Sequence, residues 1–165
     1  MKKHLIYILS GIAMLLIIIL LIVINDFKII RIDGHSMNPT LYEGNYVISS
    51  NYKELERGDI IMFYQGDQKF IKRILGLPGD TVEMTQDCKI YINGERVKEN
   101  YIECYPYAFK NEQQYPLTVP EGEYFILGDN RNDSLDSRVI SIGTIEEDRI
   151  IGEINLVIFP FKTLK

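Results

Sequence analysis

Two segments carry the residues best suited to covalent chemistry: Gly34-His35-Ser36-Met37-Asn38-Pro39-Thr40-Leu41 and Phe70-Ile71-Lys72-Arg73-Ile74-Leu75-Gly76-Leu77-Pro78-Gly79-Asp80. Gly34 lets backbone approach a substrate closely, and Pro39 fixes a turn that can hold the Ser36 hydroxyl exposed. A hydroxyl becomes a nucleophile only when a base takes its proton, and a desolvated lysine amine is one of the few side chains able to do so. On a strand, Phe70, Lys72 and Ile74 share a face, which surrounds the amine with apolar groups. The burial matters, because an ordinary lysine with a pKa near 10.4 is only about 0.4% neutral at pH 8. The pair predicts a serine–lysine peptidase in which the Ser36 amide N–H serves as an oxyanion donor. His35 adjoins the serine, but neighbours on an extended chain point to opposite faces, so it is poorly placed as the base.

These residues follow an apolar run. Leu5 to Ile24 carries no charge and, as a helix, would span about 30 Å, the thickness of a bilayer's hydrocarbon core. It is long for a cleaved leader, and no small-residue cleavage site follows it, so an uncleaved single-pass anchor is expected over residues 1–24. Lys2 and Lys3 before the run and Asp26 after it put the N-terminus in the cytoplasm and residues 25–165 outside. That second part is long enough for one domain with its own core. It holds all 23 acidic residues and all of the 18 basic ones except Lys2 and Lys3, a balance that gives nucleic acid no basic face to bind.

Cys88 and Cys104 would lie in an oxidising compartment, where a disulfide is allowed, but their spacing leaves the pairing open. They match no zinc pattern, and with His4 and His35 the only histidines, no metal site or cofactor is expected. Tyr46–Ser49, Ile60–Tyr64, Glu123–Leu127 and Ile154–Phe159 read as strands, and Asn93-Gly94 marks a hairpin between Ile90 and Val97. Tyr105 to Pro120 reads as an irregular excursion. The domain is therefore expected to be mostly β, with coiled sheets closing on themselves. Arg57-Gly58-Asp59 reads as a strand-entry turn and Asn132-Asp133-Ser134 as loop chemistry.

Taken together, the chain resembles the bacterial type I signal peptidases, the leader peptidase family, in its short single-span form. Ser36-Met37-Asn38-Pro39-Thr40-Leu41 is similar to that family's nucleophile box, and Arg57-Gly58-Asp59-Ile60-Ile61-Met62-Phe63 to the next. Phe70 to Asp80 is similar to the lysine box, and Gly128-Asp129-Asn130-Arg131-Asn132-Asp133-Ser134-Leu135-Asp136-Ser137-Arg138 to the last. The resemblance implies a coiled β-sheet catalytic domain behind one transmembrane helix in the bacterial plasma membrane. It implies Ser36 as nucleophile, Lys72 as general base, and Ser134 as the hydroxyl that orients the lysine. Arg73, Asp129, Asp136 and Arg138 become supporting ion pairs, while Ile32, Leu41 and Ile71 wall shallow pockets. The implied substrates are signal-peptide-bearing preproteins, cut after small residues at −3 and −1 next to the lipid bilayer. Gly34 stands where the longer form has a second oxyanion-donating serine, and Asn132-Asp133 inverts the usual order.

A repressor-like self-cleaving protease shares this chemistry but needs a DNA-binding module, and here a membrane span precedes the domain. A catalytically inactive homologue acting as a binding module at the export site should have lost Ser36 or Lys72. Both are present. Exposed Phe27, Ile29 and Met37 are expected to rest the site on the outer leaflet. The oligomeric state stays open.

Overall fold

The computed structural model describes residues 2–102, 104 and 112–164. Lys2–Asp26 form a 25-residue helix, α1. The described side chains from Ile6 to Leu21 are all exposed, so along that stretch the apolar helix is covered by nothing among the described residues. Taken over the residues described, no helix is long and apolar enough to cross a membrane, and an anchoring role for α1 rests on the uncharged run Leu5–Ile24 itself.

Twelve strands follow: β1 Phe27–Arg31, β2 Tyr46–Ser50, β3 Ile60–Gln65, β4 Gln68–Gly76, β5 Thr81–Met84, β6 Ile90–Ile92, β7 Glu95–Arg96, β8 Leu117–Thr118, β9 Glu123–Leu127, β10 Ile145–Glu146, β11 Ile150–Phe159 and β12 Phe161–Thr163. Among the described residues they form two antiparallel sheets. The larger runs β1-β2-β11-β3-β4-β9-β10 with β12 beside β11, and the smaller runs β7-β6-β5-β8. The mostly-β expectation holds, but among the described residues neither path closes on itself. The expected excursion from Tyr105 to Pro120 lies partly outside the described residues. Its far end is not irregular: Leu117 and Thr118 pair with Val82 and Thr81.

The apolar runs are continuous where the larger sheet is covered on both faces. In β3, Ile61 and Phe63 enter one core with Ile74, Ile126 and Ile145. Ile60 and Met62 enter another with Ile32, Met37, Leu41, Val47 and Val157. In β9, Phe125 and Leu127 turn instead to the smaller sheet, meeting Val82, Ile90 and Ile92. The expected hairpin forms: Ile92 pairs with Glu95 across Asn93 and Gly94, whose φ of 52° and 80° are the left-handed values a two-residue turn demands. Arg57 pairs with Asp80 at 2.9 Å, and Asp80 also accepts from Asn93 Nδ2 at 2.8 Å, tying that turn to the entry of β3.

One surface expectation is corrected. Phe27 and Ile29 are exposed at 47% and 67%, but Met37 is 3% exposed. The tight turn after Ser36, in which Thr40 N–H and Leu41 N–H both donate to Met37 O at 2.9 Å, carries that side chain inward to the core beneath.

Cys88 and Cys104 are joined as a disulfide, with Cα atoms 6.6 Å apart. The bond closes a loop over a separation of 16 residues, which in the chain-entropy account is worth about 3 kcal/mol. Replacing both cysteines with serine should lower the denaturation midpoint by a corresponding amount in chemical unfolding. An unchanged midpoint would show that the bond closes no otherwise free loop.

Candidate active site

The Ser36 turn meets strand β4 at Lys72, which pairs with Ile61 of β3. Lys72 Nζ donates to Ser36 Oγ at 2.7 Å and to Ile71 O at 2.9 Å. The amine also stands 5.6 Å from the centre of the Phe70 ring, on the strand face expected for these residues. Lys72 is 3% exposed. Burial pulls its pKa down from 10.5 to about 8; Asp136, Asp129 and Asp133 pull it back up, and the Arg138 charge opposes them. His35 is more than half exposed and faces Glu43 at 3.3 Å, away from the serine.

The last box pins the Ser36 backbone. Asn130 N–H donates to Ser36 O at 3.0 Å, and Asn130 Nδ2 to His35 O at 3.2 Å. Gly128 sits so close that a Cβ there would lie 2.5 Å from Ser36 O and collide with Ser134. The acidic residues are held in two fork-to-fork pairs. Arg73 donates to Asp129 through Nε at 2.9 Å and Nη2 at 2.6 Å. Arg138 donates to Asp136 through Nε at 2.8 Å and Nη2 at 2.9 Å, and Asp136 also accepts from Gly128 N–H at 3.0 Å. Such bidentate, charge-assisted bonds fix both partners in one plane.

A cleft of about 530 Å³ opens over the pair, lined by Ile30, Arg31, Ile32, Asp33, Gly34, Ser36 and Met37 on one side. Met62, Gln68 to Lys72 and Leu135 complete it. Ile32 and Ile71 thus reach the cleft, whereas Leu41 is fully buried in the core below and is not among its lining residues. Ser134 also departs from expectation. Its hydroxyl is buried without a hydrogen-bond partner, packed against Gly128, and the lysine's identified bonds go to Ser36 and Ile71 instead. Two polar groups escaped the sequence reading. Glu99 pairs with the fully buried Arg131, and the Tyr101 ring lies 4.1 Å from the Arg73 guanidinium carbon. Both come from outside the four boxes, and no spacing rule pointed to them. Among the described residues no cluster of metal-ligating side chains occurs.

A buried amine hydrogen-bonded to a serine in an open, partly apolar cleft is an arrangement able to activate a hydroxyl for hydrolysis. The comparisons agree in class. Residues 5–159 match the family described as signal peptidase, peptidase S26. Signal peptidase I T of Bacillus subtilis (strain 168) is 37% identical over 184 residues, covering 99% of this chain and 91% of that one. Signal peptidase IB of Staphylococcus aureus (strain Mu50) is 33% identical, covering 100% and 95%. The crystal structure of a signal peptidase I from Enterococcus faecalis V583 is 38% identical with a TM-score of 0.50, covering 61% of this chain and 97% of that one. The chain belongs to the signal peptidase family, peptidase S26, and is a serine-type hydrolase of that family.

Gly128→Ala should push the last box off the Ser36 carbonyl. A displacement near 1 Å at a reacting group costs about a hundredfold in rate, so the variant should fold yet turn over about a hundredfold more slowly. Full activity in Gly128→Ala would show that this contact does not set the serine's position.

Proposed function

We propose that this chain is a membrane-anchored endopeptidase that removes N-terminal signal peptides from exported preproteins through a Ser36–Lys72 dyad, cutting after small residues at −3 and −1. The observation that carries the reading is the 2.7 Å bond between Lys72 Nζ and Ser36 Oγ with the amine buried. In its neutral form the amine accepts the serine proton as Oγ attacks the scissile carbonyl. The resulting ammonium protonates the leaving amine, and the amine then activates water to release the acyl group. The Ser36 N–H faces the developing oxyanion. Ile32 and Ile71, both on the cleft wall, limit the size of the −1 and −3 side chains. Arg73 with Asp129 and Arg138 with Asp136 hold the frame and do not touch the reacting atoms.

The anchor is the uncharged run Leu5–Ile24 within α1. Its support is the helix's exposed apolar surface, which finds no partner among the described residues and which lipid would cover. With residues 25–165 as the catalytic domain, the N-terminus lies in the cytoplasm and the cleft outside a bacterial plasma membrane. Phe27 and Ile29, exposed at the start of β1, lie where the chain leaves the bilayer.

The dyad is tested by the pH dependence of kcat/KM on a peptide carrying an Ala-x-Ala cleavage site. Activity should rise with pH through about 8, the pKa to which burial lowers Lys72. Lys72→Arg, which stays protonated at any working pH, should be as inactive as Ser36→Ala, while His35→Ala stays active. Substantial activity in Lys72→Arg, or a dead His35→Ala, would reassign the base. An inactive wild-type protein that still binds the precursor would favour the binding-module alternative.

Removing residues 1–24 should leave a domain that cuts soluble peptides but processes precursors in vesicles poorly. Equal processing of both by the truncated form would remove α1 from substrate access.

A further inference from the structure

Beneath the site, two buried guanidinium groups are closed by a segment that belongs to none of the four boxes. Arg131, with a fully buried side chain, donates to Glu99, whose side chain is 4% exposed. Through Nε the same guanidinium holds Gly128 O at 3.1 Å. Gly128 is the residue against which the Ser36 carbonyl packs. Two residues after Glu99, the Tyr101 ring lies flat enough on Arg73 to bring the guanidinium carbon within 4.1 Å of its centre. The Tyr101 hydroxyl donates to Glu99 Oε1 at 3.2 Å. One short stretch thus touches Arg73, the partner of Asp129 directly after Lys72 in sequence, and Arg131, which bonds the Gly128 carbonyl beside Ser36. The Cys88–Cys104 disulfide ties this stretch to the smaller sheet.

We propose that Glu99 and Tyr101 are positioning residues for the Ser36–Lys72 pair, acting through Arg131 and Arg73 from a disulfide-tethered segment; the inference rests on the serine–lysine reading of the site. The physical reason lies in what each guanidinium would do alone. An uncompensated buried cation is strongly unfavourable and draws nearby carbonyls or water into new arrangements. For Arg131 the carbonyl in reach is Gly128 O, and any shift there is passed to Ser36. Tyr101 covers the face of Arg73 that the bidentate Asp129 bond leaves open, giving a planar cation an aromatic partner. Burial and the Glu99 charge both raise the phenol's pKa, so its hydroxyl remains a donor throughout the working range. Neither Glu99 nor Tyr101 is among the residues lining the cleft.

The test compares kcat and KM of Glu99→Gln, Tyr101→Leu and Tyr101→Phe, each corrected for the fraction of acylatable serine. For Glu99→Gln and Tyr101→Leu, kcat should fall about tenfold or more with KM within about twofold, the pattern of a lost transition-state interaction. Tyr101→Phe keeps the ring over Arg73 and should stay within about threefold of wild type, since only one hydrogen bond is lost. Glu99→Gln combined with Arg131→Gln should be no slower than Arg131→Gln alone, because the first acts through the second. Should Glu99→Gln fail to fold, the contrast between Tyr101→Leu and Tyr101→Phe decides. Wild-type kcat in Glu99→Gln and Tyr101→Leu, with Ser36→Ala dead, would overturn this inference alone. A Ser36→Ala enzyme that still cuts would overturn the dyad reading, and the inference with it.

Discussion

The rest of the site is organised around a lysine amine removed from water. Lowering the Lys72 pKa from 10.5 to about 8 corresponds to about 3 kcal/mol of disfavoured charge. That cost falls on the folded state wherever the amine is protonated. Between about pH 8 and the unfolded value of 10.5 the unfolded chain binds more protons at this position. The lysine's contribution to stability therefore rises with pH across that window. A residue kept at this expense near neutral pH is poorly explained as a structural element. It fits a base that must be partly neutral where the protein works.

Two carboxylates close to the amine, Asp129 and Asp136, raise its pKa and offset part of the effect of burial, which outweighs them. Each is locked to a guanidinium in bidentate geometry, and the Arg138 charge opposes their pull on the amine. The same pairs hold backbone: Asp136 accepts from Gly128 N–H, and Arg73 Nη1 donates to Gly58 O at 2.7 Å at the entry to β3. Breaking one partner of a buried pair leaves a charge without compensation. The network therefore fixes position as much as it tunes charge. The second layer of Glu99, Arg131 and Tyr101 extends it in the same manner.

Much of this was legible in the sequence because the informative residues are local. Ser36 beside its turn proline, Lys72 alternating with Phe70 and Ile74, and Asn93-Gly94 between short arms each carry their signal within a few positions. The orientation of side chains across the tight Ser36 turn was not legible. Met37 was expected at the surface with Phe27 and Ile29, whereas the turn's hydrogen bonds to Met37 O carry it into the core. Leu41, which the resemblance implied as a pocket wall, is fully buried and does not line the cleft. The Ser134 hydroxyl, expected on the lysine, is packed against Gly128. Glu99 meets Arg131 across 32 residues of chain, a pairing made by tertiary folding that no motif spacing encodes. The closing of the sheets was overread from strand density, which sets the class of fold but not whether its edges meet.

The central claim is that the Lys72 amine is neutral in a sizeable fraction of molecules at mildly alkaline pH. The direct measurement is an NMR titration of the lysine side-chain nitrogens in the intact protein, with the Lys72 signal assigned by its loss in Lys72→Met. The account predicts that this amine titrates near 8, well below the ordinary lysine value of about 10.4. A Lys72 signal that titrates at that ordinary value would contradict it.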